Sequence, residues 1–441
     1  MRPADEPSEA PLANDELDAL FAPLADARLI ALAVSGGADS LALLDAVERW
    51  PKRQVPAIVL TVDHGLRRGS RIEANRVAGI ARRRGMEARV LAWKGPRPQS
   101  DIEGAARAAR YRLLLEACRL AGASHLLLAH HQGDLAETFL LRLKRGGGVF
   151  GLAAMRPWLD LGDIVIVRPF LGLPRARLAA TTAAAKLVPV DDPMNADPRF
   201  DRARVRRLLP RLAEEGLDPA SLAAAALRLA DAADAIDSAA TMLLGAAVEA
   251  DEFAVAWLDA ARFSAAPHAV RMRALARILT AVGGDDYPPR HERLAALHDA
   301  IVARPSRFKR TLAGTIVEAR AGRFAFYREM GREELPTITL KPGFRGFWDH
   351  RFAVEVGKGA PAGLSLGPLG EAGRREFGPF DQDHPVGAVA ALPALRRRGR
   401  IVGVAPFSSG FPPGAASSVT VRAILGERLR RPPLFPDSAG H

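Results

Sequence analysis

Two hydrophobic patterns alternate along the first two hundred residues. Short, nearly continuous apolar runs occur at 28–34 (RLIALAV), 56–62 (PAIVLTV), 87–93 (EARVLAW), 125–129 (HLLLA) and 164–169 (IVIVRP). Strands buried on both faces read this way, because neither side of the pleat meets water. Between them, 41–50 (LALLDAVERW), a basic segment at 71–84, and residues 102–121 and 132–144 space their apolar positions for helices. Strands alternating with helices predict an α/β fold with a parallel, doubly wound sheet, here over residues 25–212. Such sheets bind ligands beyond the carboxyl ends of their strands.

The pattern changes near residue 213. Asp218 followed by Pro219 makes a helix start, and an Ala-rich helix runs from there to about residue 250. Further helical spacing at 266–281 and 288–303 predicts a mainly helical middle domain over 217–330. One hairpin is expected within it, in TLAGTIVEARAGRFAFYR (311–328), turning near Ala321-Gly322. From 335 to 430 Gly and Pro are frequent and the segments short, which predicts a small mixed or β domain. No internal repeat is visible.

Composition adds limits. The chain has 441 residues, 48% of them hydrophobic and 25% charged, enough for two or three packed domains. No apolar run reaches a membrane span, and Asp5, Glu6 and Glu9 give no basic-then-apolar leader, so no membrane and a cytoplasmic location are expected. A single cysteine, Cys118, excludes an internal disulfide and a Cys-rich metal site. The net charge of +12 favours a polyanionic partner. The excess of arginine over lysine suits phosphate and base recognition, although coding bias would give the same ratio.

The sharpest local signal is Ser35-Gly36-Gly37-Ala38-Asp39-Ser40, set between a buried strand and a helix. Glycines let the backbone approach a phosphate, and the free N–H groups of a turn and helix start attract an anion. Ser35 and Ser40 carry hydroxyls that can donate to it. Asp39 would repel phosphate unless it holds Mg²⁺ on a nucleoside triphosphate such as ATP. The loop is neither a Walker A motif nor a dinucleotide fingerprint. It resembles the pyrophosphate loop of the N-type ATP pyrophosphatases, the PP-loop superfamily, whose members split ATP to AMP and pyrophosphate and adenylate a carbonyl-type oxygen.

Further motifs narrow the resemblance. In order they are Val62-Asp63-His64-Gly65-Leu66-Arg67, Glu103-Gly104-Ala105-Ala106-Arg107, Arg110-Tyr111, His130-His131, Asp134, Glu137-Thr138, Arg145-Gly146-Gly147-Gly148, Gly151-Leu152, Met155, Arg168-Pro169, Asp192-Pro193-Met194-Asn195, and Phe200 to Arg206. In this order and spacing the set resembles the tRNA(Ile)-lysidine synthetase family, closely over about 25–212. The resemblance is weaker later, through TLAGTIVEA, Trp348 to Phe352, and LPAL with GRIVGVAP. The family often has two aspartates and a glutamine where this chain has Gly133-Asp134-Leu135, and a serine where it has Met194.

The resemblance implies a reaction. ATP adenylates the C2 oxygen of the wobble cytidine in tRNA(Ile) with a CAU anticodon. The ε-amine of L-lysine then displaces AMP, and the codon read changes from AUG to AUA. It also implies that the middle and C-terminal domains bind tRNA. Carried onto this chain, Asp39 holds Mg²⁺ and Arg110 supplies positive charge at the α-phosphoryl group. Arg107, one turn away, is equally a structural ion-pair residue. Asp63 and His64 lie near the nucleotide. Asp134 and Glu137, at i and i+3 of one helix, suit the ammonium groups of lysine. His130 and His131 are candidates for proton transfer or nucleotide contact, and equally for packed strand-end residues. Arg145 and Gly148 belong to a Gly-rich loop that can close over the cytidine. Arg202 and Arg206, in a run with Arg204 and Arg207, can reach RNA or the lysine carboxylate, or form a solvated basic face.

Rivals remain open at this level. A tRNA thiolase of the same superfamily generally needs two or more cysteines, and an amidotransferase-type synthetase such as GMP synthetase needs an ammonia source. A non-catalytic RNA-binding protein would not need Asp39, Asp134 and Glu137 intact.

Overall fold

The computed structural model describes residues 9–65, 69–94, 102–153, 155–190, 201–284, 288–320, 322–331, 335–377, 380, 383–406 and 418–430. Leu66, Arg67, Asp192, Pro193, Met194, Asn195, Phe200, Ala321 and the Glu103 side chain lie outside the described residues. The chain divides into two compact units, one up to Ala233 and one over Asp234–Phe435.

The first unit contains, in chain order, α1 (Asn14–Phe21), β1 (Ile30–Ala33), α2 (Ala38–Arg49), β2 (Ala57–Asp63), α3 (Ser70–Arg83), β3 (Glu87–Ala92), α4 (Ile102–Ala121), β4 (His125–Leu127), α5 (Gln132–Lys144), α6 (Val149–Leu152), β5 (Trp158–Asp160), β6 (Val165–Val167), α7 (Arg175–Ala184), α8 (Asp201–Glu214) and the start of α9 (Pro219–Ala247). The sheet order is β3-β2-β1-β4-β6-β5. Every pairing is parallel except that of β5, which folds back on β6 as an antiparallel edge.

The apolar runs follow from this layering. Ile30, Leu32 and Val34 point into one core with Leu41, Leu44, Val77 and Ala81 of α2 and α3. Ala31 and Ala33 point the other way, into a core with Leu114, Ala117 and Cys118 of α4. A strand with helices on both faces has no polar side, so alternation disappears from its sequence. Leu17 and Phe21 of α1 pack in the first of these cores, which therefore begins before residue 25. Cys118 is fully buried, and burial pushes its thiol up to about 12.

The second unit adds β7 (Val248–Ala250), β8 (Ala256–Leu258), α10 (Ala260–Ser264), α11 (His268–Gly283), α12 (His291–Val302), β9 (Lys309–Leu312), β10 (Thr315–Arg320), β11 (Arg323–Arg328), β12 (Ile338–Leu340), β13 (Arg345–Trp348), β14 (Phe352–Val356), β15 (Leu364–Pro368), α13 (Gly370–Phe377), α14 (Val386–Ala390), β16 (Pro393–Arg397), β17 (Arg400–Val404), β18 (Val419–Ala423) and α15 (Leu425–Arg430). The hairpin expected at 311–328 forms, with Arg320 opposite Arg323 and Thr315 opposite Arg328. It belongs to a larger antiparallel sheet, β7-β8-β11-β10-β9, which shares the 217–330 segment with the expected helices. Two smaller sheets follow, β12-β15-β16-β17 and β13-β14-β18. One hydrophobic cluster runs from Ala240 through Phe326 and Trp348 to Leu429, so both later segments share one core.

A polar pin crosses this core. Asp237 on α9 accepts two 2.7 Å hydrogen bonds from Arg273 on α11. Arg277, one turn on, donates to Thr241 Oγ1 (2.6 Å) and to the carbonyl of Leu429 (2.5 Å), and its Nη1 lies 3.6 Å from Asp237. Both guanidinium groups are nearly inaccessible to water. Asp237→Ala is therefore expected to destabilise the second unit by about 3–5 kcal/mol, the cost of leaving buried cations without their carboxylate. Urea unfolding followed by circular dichroism measures it. A loss below about 1 kcal/mol would show that the pair is dispensable.

Candidate active site

β1 and β4 are adjacent, but the chain leaves them toward opposite sides of the sheet. This is the topological switch point, where an open α/β sheet forms a crevice. The segments leaving the two strands are Ser35–Ser40 and His130–Glu137, so the sheet order brings the two strongest motifs to one place.

The first segment folds around its own serine. Ser40 Oγ accepts from the N–H groups of Ser35 (3.2 Å) and Gly36 (3.1 Å) and donates to the carbonyl of Gly37 (2.9 Å). Ser40 was expected as a donor to phosphate; its buried hydroxyl instead closes the turn. Ser35 remains exposed at the surface of the loop. Gly36 has φ of 96°, and a Cβ there would meet Val77 Cγ2 at 3.0 Å and Val190 Cγ2 at 3.2 Å, so only glycine fits. α2 begins at Ala38 with Gly37 as N-cap and no side-chain cap. Its first N–H groups therefore lack intrahelical acceptors and present the positive end of the helix to the crevice.

Asp39 stands in that first turn. Its Oδ1 is buried without a hydrogen bond, with Arg175 Nε 3.6 Å away, and its Oδ2 lies 3.8 Å from His131 Nε2. A buried carboxylate oxygen lacking a hydrogen bond fits a divalent cation. Among the described residues no three His, Cys, Asp or Glu side chains gather as a metal site. A Mg²⁺ here would take one protein carboxylate and complete its shell with triphosphate and water oxygens, the usual arrangement for this ion with nucleotides.

His131 organises the second segment. It is the N-cap of α5, and its Nδ1 accepts from the N–H groups of Gly133 (3.0 Å) and Asp134 (3.4 Å). Asp134 Oδ2 returns the contact by accepting from the His131 N–H at 3.0 Å. An accepting Nδ1 puts the ring proton on Nε2, which lies 3.5 Å from Asp134 and 3.8 Å from Asp39. His131 is thus a buried bridge between two carboxylates rather than a group open to substrate.

The two acids of α5 have separate surroundings. Glu137 is buried and receives Arg206 Nε at 2.7 Å and Nη2 at 3.1 Å. Glu137 was expected to meet lysine, and Arg206 to reach RNA or the lysine carboxylate or to face solvent; this bidentate pair occupies them with each other. Burial is the largest influence on Arg206 and disfavours its charge, but the Glu137 hydrogen bond and the charges of Glu137, Asp134 and Asp39 together raise its pKa overall. Asp134 keeps partial exposure and is the carboxylate that faces the crevice.

Beside Asp134 stands a group of cations. Arg110 on α4 makes no hydrogen bond or ion pair among the described residues. Burial lowers its pKa, Tyr111 and Asp134 oppose the shift, and Arg107 and Arg202 add to it. Arg107 lies over the Tyr111 ring at 5.5 Å. His130 accepts at Nδ1 from Arg168 Nε (3.2 Å), and burial first, then Arg168, Arg107, Arg110 and Arg202, hold its pKa well below the usual value. His130 is therefore neutral near pH 7 and does not serve as an acid there. Four arginines around one neutral histidine make a site for an anion.

Other expected residues have local partners. Asp63 Oδ1 accepts from the Gly65 N–H (2.9 Å) and Ser70 Oγ (2.5 Å), so this carboxylate closes the turn into α3 rather than facing a nucleotide. His64 is half-buried beside it. The Gly-rich loop is braced by Arg142, whose carbonyl accepts from Gly147 (2.9 Å) and whose Nη1 donates to Gly151 (2.8 Å). Gly148 is exposed, and Arg145 Nη2 lies 3.7 Å from Asp201. The sequence reading missed Arg175 and Thr182, which donates to the Ala38 carbonyl at 2.8 Å. Pro174 at the start of α7 was the available signal for Arg175.

Comparison with known proteins identifies the family. The PP-loop domain family matches residues 10–212. The tRNA(Ile)-lysidine synthase of Methylobacterium nodulans is 46% identical over 310 residues, covering 69% of this chain and 91% of that protein. The enzyme of the same name from Bradyrhizobium sp. is 40% identical over 328 residues, covering 70% and 92%. Among solved structures, the U34-tRNA thiolase NcsA of Methanococcus maripaludis has 17% identity and a TM-score of 0.43, covering 49% of this chain and 78% of that one. By the first two relatives, the chain belongs to the tRNA(Ile)-lysidine synthase family, ATP-dependent ligases that carry a PP-loop domain.

Proposed function

We propose that this protein ligates L-lysine to C2 of the wobble cytidine of tRNA(Ile) with a CAU anticodon, through an adenylated cytidine, with release of pyrophosphate and AMP. The observation that carries the reading is the bridge of His131 between Asp39 and Asp134, beside the Arg110 cluster. It sets a metal-type carboxylate, an amine-type carboxylate and an anion site next to one another. An adenylating ligase for an amine needs those three.

The first N–H groups of α2 hold the departing pyrophosphate. Mg²⁺ on Asp39 would neutralise triphosphate charge and help orient the α-phosphorus. Arg110, with Arg107 and Arg202 nearby, faces the charge that grows on the α-phosphoryl oxygens as the cytidine C2 oxygen attacks. Among the described residues no hydrogen bond or ion pair holds Arg110 beforehand, so none has to break. Asp134 receives an ammonium group of lysine. As the ε-amine attacks C2 it loses a proton, and a carboxylate near the amine can accept it. Arg206 and Glu137 lock α5 and α8 together beneath these groups. The thiolase reading loses its footing at Cys118, whose buried thiol is held protonated and has no partner cysteine in the chain.

Incubation with ATP, labelled lysine and a tRNA(Ile) transcript, followed by nucleoside analysis, tests the reaction itself. Asp39→Asn is expected to lower pyrophosphate release by about 10³-fold or more, since a metal-held charge is lost from the transition state. Its melting temperature is expected to stay near the parent's, because Oδ1 makes no hydrogen bond to lose. A folded Asp39→Asn enzyme with parental pyrophosphate release refutes the metal assignment.

Asp134→Asn is expected to raise the lysine KM by roughly tenfold to a hundredfold, the size of one charge-assisted hydrogen bond. Glu137→Gln is expected to lower the melting temperature as well, because Arg206 loses its carboxylate. Cys118→Ser is expected to keep lysine incorporation. Parental lysine KM in Asp134→Asn removes that residue from the site, and an inactive but folded Cys118→Ser enzyme reopens sulfur chemistry.

A further inference from the structure

The second unit contains a concave pocket of ≈ 510 Å³, lined by Gly283, Gly284, Arg328, Pro336, Phe347, Asp349 and His350. Nothing in the adenylation chemistry uses it. Its size lies within the range of small-ligand sites.

The walls combine an aromatic face with positive charge. Phe347 is 64% exposed, unusual for so large an apolar side chain. It lies on β13, whose residues alternate outward and inward, so Arg345 and Phe347 share the outer face while Trp348 is buried. Arg345 makes no ion pair among the described residues, although Glu355 stands opposite it in register. Arg328 donates Nε to Asp349 (3.3 Å) and Nη1 to the carbonyl of Gly314 (3.2 Å). Its Nη2 makes no hydrogen bond among the described residues. Behind the wall Arg351, fully buried, takes the other oxygen of Asp349 at 2.7 Å. Arg428 donates to the carbonyl of His350 at 2.7 Å. The wall itself carries Arg328 and Asp349, and Arg351 shares Asp349 from behind, so the single carboxylate is divided between two guanidinium groups. Gly284, with φ of 81°, keeps the wall low: a Cβ there would stand 3.6 Å from the His350 ring.

An exposed ring beside an arginine with a spare N–H edge, in one hollow, matches a nucleotide. The ring offers a stacking surface for a base and the guanidinium a partner for its phosphate. A base inside a duplex has no free face, so the occupant is unstacked. We infer that this pocket receives one unstacked nucleotide of the RNA substrate, its base against Phe347 and its phosphate toward Arg328. The inference rests on the lysidine-forming reading, which supplies the RNA. A free mononucleotide shares the chemistry and is separated from RNA by the test.

The test uses the full-length protein as parent, Phe347→Ala and Phe347→Trp. Lysidine formation by the parent is measured first; its absence overturns the proposed function and leaves the pocket to be judged by binding. Affinity for a labelled tRNA(Ile) transcript is then read by fluorescence anisotropy at several salt concentrations. Phe347→Ala is expected to weaken binding by roughly tenfold or more, the usual effect of removing a stacking ring. The salt slope is expected to be unchanged, because no phosphate contact is lost. Phe347→Trp is expected to restore or exceed parental affinity, which a merely structural role of the phenyl ring would not give. Parental tRNA affinity in Phe347→Ala overturns the inference. Millimolar AMP supplies the last arm: quenching of the introduced indole by AMP, with tRNA affinity indifferent to Phe347→Ala, assigns the pocket to a free nucleotide and overturns the RNA occupant.

Discussion

The ring of His131 is the point on which the catalytic crevice depends. Its Nδ1 is committed to the N–H groups that start α5, which leaves one orientation for Nε2–H, toward Asp39 and Asp134. Two carboxylates, Asp39 of α2 and Asp134 of α5, flank it and repel each other across the crevice. The imidazole ring stands between them, its Nε2 3.5 Å from Asp134 and 3.8 Å from Asp39. The tautomer is fixed by backbone groups, so the arrangement exists before any substrate arrives. Preorganisation of this kind reduces the reorganisation required during reaction.

A second constraint acts through arginine. Arg168 is fully buried and holds His130 through Nδ1 while donating to the carbonyl of Arg156 at 2.7 Å. Arg206 is taken by Glu137. These two are structural cations, whereas Arg110 makes no hydrogen bond or ion pair among the described residues. Arginine count alone would not have separated them. The separation comes from which carboxylate or carbonyl lies within reach of each fork.

Much of this was legible in the sequence. Buried strands and the intervening helices follow from hydrophobic period, and α5 falls on the residues read for it, Gln132–Lys144. Ser35–Ser40 was readable because its glycines and serines form a compact motif, and at Gly36 a positive φ and close packing against Val77 and Val190 require glycine. Partnership was not readable. The pairing of Glu137 with Arg206 joins residues 69 positions apart, and spacing carries no record of such contacts. Ser40 and Asp63 look like ligand residues because turn closure and ligand binding select the same side chains. The sheet of the second unit was hidden for another reason. Its strands β7 and β8 are three residues each, too short for an alternation to stand out.

Cys118 gives the first unit a built-in clock. It lies on α4, the helix that also carries Arg107 and Arg110, and its thiol is both sealed from solvent and held protonated. An alkylating reagent can reach it only when that helix parts from the sheet. The rate of labelling in the native protein therefore reads how often the arginine-bearing helix opens. ATP or RNA that gathers those arginines should slow the clock, so a single mass-spectrometric time course reports occupancy of the crevice without any substitution in it.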